Sequence, residues 1–175
     1  MLKKYNKFII LLLIIAVSYS WVWVETYNRT QRFYDQAMAN FEQGDYIKAL
    51  KGERVLNKDN SGYIFKGGFQ QIIKSWKSSS AFPKPSLYIT AKKKVSRIIN
   101  QKMNIAMGQR AFKTYFRMNN KYLPQILMRV GDLYAQKGQI EKAKESYQMV
   151  TDIFTLQQKI VNKAEEKLQQ LKENK

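Results

Sequence analysis

Ser75, Ser78, Ser79 and Ser80 stand beside Lys74 and Lys77, and a serine next to a lysine is the simplest pair for acyl transfer, the amine taking the hydroxyl proton. The SxxK spacing that holds such a pair on one helical face is absent, so the serine-rich run reads as a linker. Asp132, Glu141 and Glu145 are the carboxylates nearest to a motif, and their spacing puts them on exposed helix faces. The chain has no histidine and no cysteine, which removes imidazole bases, thiolate nucleophiles, disulfides and the usual zinc or haem ligands. Neither a GxSxG elbow, a phosphate-binding glycine loop nor an HExxH helix occurs. The expectation is a protein that is not an enzyme, with no catalytic, cofactor or metal residues.

Charge is the more informative chemistry. Lys and Arg number 31 against 13 Asp and Glu, a net charge of +18. Between Asp59 and Asp132 there is no acidic residue, while basic ones run from Lys66 to Arg129. Solvated faces usually mix both signs, and a one-sign surface costs self-repulsion, so this stretch points to an anionic partner. Lys92, Lys93, Lys94 and Arg97 are the sharpest candidates, for an acidic protein surface or anionic lipid headgroups. Phe69, Trp76, Phe82 and Tyr88 interleave with lysines as base-stacking platforms do. The same aromatics suit helix interiors, and a domain outside the cytoplasm meets no nucleic acid, so nucleic acid is the disfavoured partner.

The elements that would position these residues are helical. In Leu127–Val150, LMRVGDLYAQKGQIEKAKESYQMV, Leu127, Val130, Gly131 and Tyr134 form one stripe of a helix. Gly138 ends that helix, and Ile140, Ala143, Tyr147 and Val150 draw a second stripe. Gly131 and Ala143 let the two backbones approach while Tyr134 and Tyr147 fill the space beside them. This run resembles a tetratricopeptide repeat (TPR), with its small residue and aromatic in the first helix and its Ala and aromatic in the second. The resemblance is to membrane-anchored bacterial-type TPR proteins. It is strong over 124–154, weaker over 33–56, where FEQGDYIKAL repeats the turn, and divergent between. It implies a concave groove, built from first-helix surfaces, that takes peptides or partner helices. On that analogy Leu127, Arg129, Asp132, Tyr134 and Gln136 lie near the groove, flanked by Lys113 and Arg117.

Lys3, Lys4 and Lys7 precede the uncharged run Phe8–Val24, which is close to the lower limit for crossing a hydrocarbon core. A cleaved signal peptide and a retained anchor compete. Small residues for cleavage exist at Ala16-Val17-Ser18 and Ser18-Tyr19-Ser20, but Trp21 and Trp23 fit an interfacial aromatic belt and favour the anchor. The leading lysines place the N-terminus in the cytoplasm and the remainder outside it, although Arg29 and Arg32 weaken the asymmetry.

The fold class expected is all-α: a transmembrane helix, then a short TPR-like solenoid with a C-terminal cap. In order, a basic flank covers 1–7, the anchor 8–24, a degenerate first hairpin 25–56 and a basic insertion 57–86. Helix pairs follow over 87–154 and a capping helix over 155–175. Within the first hairpin, Ile47, Ala49, Leu50 and Leu56 are read as one stripe with Gly52 inside the helix. Pro83 and Pro85 make Lys77–Ser86 extended and poorly ordered. A long helix would run from Ser86 to Met107 and break at Gly108, and an Asn119-Asn120 turn follows. The cap carries Leu156, Ile160, Ala164, Leu168 and Leu171 on its inner face. Two functions suit such a chain: a non-catalytic adaptor that captures partner proteins, or a permanent subunit of a secretion, motility or respiratory assembly in the envelope.

Overall fold

The computed structural model describes residues 2–59, 61–118 and 120–173, with side chains from Lys7 onward. Lys3 and Lys4 therefore lie outside the described side chains, and Asn119 outside the described residues. The chain is mostly helical and divides into two compact units, Met1–Val95 and Ser96–Lys175.

The first unit begins with α1 (Leu2–Glu42), uninterrupted from the apolar run into the amphipathic stretch because no proline or glycine breaks it. It is long and apolar enough to cross a membrane. The helix stops at Gly44, whose φ of 79° opens the left-handed conformation. Asp45 N–H then donates to Asn40 and Gly44 N–H to Phe41, the paired bonds that close a helix end. Asp45 next caps α2 (Tyr46–Lys51) by accepting from the Lys48 N–H at 3.2 Å.

Here the structure departs from the helical reading. The chain leaves α2 at Gly52 and forms an antiparallel hairpin of β1 (Glu53–Leu56) and β2 (Tyr63–Lys66). Gly52 adopts a φ of 86°, and a Cβ there would overlap the Lys66 and Gly67 carbonyls where the strand ends cross. The strands' Val55, Tyr63, Ile64 and Phe65 favour extended backbone over helix. Leu56 is consequently exposed instead of completing a stripe. α3 (Phe69–Ser75) buries Phe69, Ile72 and Ile73, with Trp76 after it. The Trp76 indole donates to Thr30 on α1 at 3.0 Å. α4 (Ser86–Arg97) buries Leu87, Ala91 and Val95.

In the second unit a π-helical turn, Ile98–Lys102, precedes α5 (Ile105–Tyr115). The break falls at Asn104, whose side chain accepts from the Met107 N–H at 2.8 Å, and not at Gly108. Gly108 lies inside α5, where a Cβ would overlap Val130, so its role is close helix approach. α6 (Leu123–Gln136), with Pro124 in its first turn, pairs with α7 (Ile140–Ile153), and α7 packs on α8 (Gln158–Glu173). Gly138 closes α6 with the same bond pair as Gly44, from Gln139 to Tyr134 and from Gly138 to Ala135. A Cβ on Gly131 would overlap the Tyr147 ring, so glycine is what lets α6 and α7 meet. α8 buries Val161 and Ala164, whereas Leu156 precedes the helix and is 99% exposed. The inner stripe thus starts one turn later than spacing alone indicates.

Candidate partner-binding clefts

Helix α6 organises the site because three clefts surround it. At about 100° per residue, Leu127 and Tyr134 share one face while Arg129, Asp132 and Gln136 share another. The seven groove residues expected from the TPR resemblance therefore separate. Lys113, Leu127 and Tyr134 line a cleft of about 410 Å³ among α5, α6 and α7. Arg129 and Asp132 line one of about 460 Å³ formed by the π-turn, α6 and α8. Gln136 joins Asp132 in a third, of about 360 Å³ among α6, α7 and α8. Arg117 is exposed and lines none of them.

Asp132 ties this region together. Its carboxylate accepts the Tyr147 hydroxyl at 2.8 Å and meets the Lys167 ammonium at 3.3 Å. Burial, then the hydrogen bond to Asp132, pushes the Tyr147 hydroxyl well above its ordinary value, so it stays a neutral donor. On the opposite face Tyr134 accepts from the Gln109 amide at 2.8 Å. These bonds engage Asp132, Tyr147 and Tyr134 internally and fix the cleft walls.

The cleft formed by the π-turn, α6 and α8 is the most highly charged of the three. Arg129 Nε and Gln125 Oε1 are buried atoms without a hydrogen-bond partner among the described residues. A buried polar group left unmatched costs roughly 1–3 kcal/mol, and both atoms lie closed to solvent within residues that line the cleft. Lys163 and Lys167 stand on the facing helix with Glu166, and Asp132 is already engaged by Lys167. The cleft is therefore cationic in balance, with one buried donor and one buried acceptor. Arg129, Lys163 and Lys167 outnumber Asp132 and Glu166 along its wall. Gln125 was not legible from sequence as a cleft residue, since its neighbours supply only a helical stripe.

The basic run on α4 separates as well. Lys92 and Lys93 are exposed, as is Arg97, but Lys94 turns back so that its ammonium lies 4.3 Å from the centre of the Phe41 ring. Three of the four basic side chains remain on the surface. No group of three His, Cys, Asp or Glu side chains suited to a metal occurs among the described residues.

At the end of the apolar run the two tryptophans diverge. Trp21 is 75% exposed, while Trp23 stacks on Tyr27 at 5.5 Å and meets Trp76 edge-on at 5.4 Å. Comparison with known proteins returns nothing to set beside this geometry: no protein family model, curated protein or solved structure matches the chain.

Proposed function

We propose that this protein is a non-catalytic, single-pass membrane adaptor of TPR type. Its N-terminus is cytoplasmic, its domain is extracytoplasmic, and it captures an acidic segment of another protein. Retention of the anchor is supported by the continuity of α1, which carries the apolar run without a break into the domain's first helix. The observation that carries the binding role is the cationic lining of the cleft between the π-turn, α6 and α8, where Arg129, Lys163 and Lys167 outnumber Asp132 and Glu166. In the TPR reading those three segments stand for first helices of successive hairpins, the surfaces that TPR proteins use.

Photocrosslinking from native membranes tests this reading. Arg129→Glu should reduce partner capture at least several-fold without lowering the melting temperature, and Arg117→Glu, outside the clefts, should reduce it less. Equal capture by wild type and Arg129→Glu would refute the cleft. Protease accessibility in intact cells checks the orientation. A second reading, a permanent subunit of an envelope assembly, draws support from exposed apolar side chains at Leu56, Tyr63 and Leu156. Detergent extraction at high salt separates the two, because a subunit co-migrates with its assembly while an adaptor falls away.

A further inference from the structure

The segment between α3 and α4 carries two prolines and a serine run, yet it is firmly held against α1. The Tyr19 hydroxyl lies 2.8 Å from the Ser80 carbonyl, bonds the Phe82 carbonyl, and accepts from the Phe82 N–H at 2.9 Å. The Trp23 indole donates to the Pro83 carbonyl at 2.9 Å. From the other side the Lys84 ammonium turns inward to the Trp76 and Ser78 carbonyls. Ala81 N–H donates to Ser78 O, and Ser80 N–H to Ser78 Oγ. Pro83 has no N–H to satisfy.

Both gripping residues belong to the apolar run. By helix rise Tyr19 stands about 9 Å before Glu25, the first charged residue after that run, and Trp23 about 3 Å before it. The loop is thus held beside the last turns of the apolar segment. Backbone polar groups at such a depth find little water and must be satisfied within the protein, as the Ser80, Phe82 and Pro83 carbonyls are by Tyr19 and Trp23. A loop in open solvent has no such need. The side chains of 78–83 are uncharged, and Phe82 projects 72% exposed, far above what a soluble loop gains from an aromatic. Lys74 and Lys77, exposed before the loop, are placed as cations are beside lipid phosphates.

We propose that the 78–83 loop is a second membrane contact, with Phe82 inserted into the interfacial layer of the leaflet that α1 leaves. This rests on the reading of α1 as a retained span. The occupant of the Phe82 surface is lipid, and the contact makes the first unit stand on the bilayer at two points.

The cysteine-free chain allows a direct test. The full-length protein, carrying a single environment-sensitive fluorophore at Phe82→Cys, Val17→Cys or Lys137→Cys, is reconstituted into phosphatidylcholine–phosphatidylglycerol vesicles. Quenching by aqueous iodide is compared with quenching by nitroxide lipids. The expected result is that position 82 is quenched by shallow nitroxide lipid and is several-fold less accessible to iodide than position 137. Iodide access at 82 equal to that at 137, with position 17 still lipid-quenched, would overturn the loop contact and leave the anchor standing. Shielding of position 82 from both quenchers would overturn it in favour of a protein cover. Iodide access at position 17 would remove the anchor and the inference together.

Discussion

Tyr147 concentrates several constraints in one side chain. It fills the space that Gly131 leaves, is 1% exposed, and donates a hydrogen bond to Asp132. Gly131→Val should destabilise the domain by about 1–3 kcal/mol in urea unfolding, because the ring it would strike is packed on all sides. Tyr147→Phe keeps the packing, so its loss should be nearer to 1 kcal/mol. The two variants therefore separate volume from hydrogen bonding. The raised Tyr147 value also sets a pH limb. An unfolded tyrosine ionises near pH 10 while the folded one holds its proton to higher pH, so stability is full below pH 10 and falls as pH rises beyond it. Alkaline unfolding curves should flatten in Tyr147→Phe.

At the scale of elements, two helix ends share one device in equally open surroundings. Gly44 and Gly138 both close a helix in the left-handed conformation, and nothing lies near the Cβ that either lacks. Gly138→Ala should then cost only the local strain, about 1–2 kcal/mol. Gly52→Ala should cost clearly more in the same denaturation series, because its Cβ would meet backbone carbonyls of the crossing strand and no side chain can yield. The loop over 78–83 gives a kinetic counterpart. Tyr19→Phe removes the hydroxyl that bonds Ser80 and Phe82, so limited proteolysis in that loop should accelerate while helix content is unchanged.

At the scale of the molecule, the charge imbalance is the dominant property. The acid-free stretch from Lys66 to Arg129 supplies exposed Lys92, Lys93 and Arg97 in addition to the cleft's Arg129. Association of the vesicle-reconstituted protein with an acidic peptide should weaken steeply between low and physiological salt, as expected for exposed charges. Residual binding at high salt should depend on Arg129, whose Nε is shielded from water. Measuring affinity at several ionic strengths in wild type and Arg129→Glu distinguishes these two contributions.

Periodicity made the α6–α7 hairpin legible, because apolar spacing, one small residue and a glycine stop all describe contacts between neighbours in sequence. The apolar run and the turn at Gly44 were legible for the same reason. Tertiary structure alone decided the rest. The hairpin at 53–66 exists because Gly52 crosses Gly67 and Gly68, a meeting of distant backbone that no helical stripe encodes. The order of the 78–83 loop comes from Tyr19 and Trp23, some sixty residues earlier in the chain. The division of the expected groove follows from how α5, α7 and α8 surround α6, and Arg117 falls outside because α5 ends before it. Local patterns determine which segments are helices and which faces are apolar. Only long-range packing determines which charged side chains share a cleft and which polar atoms are left without a partner.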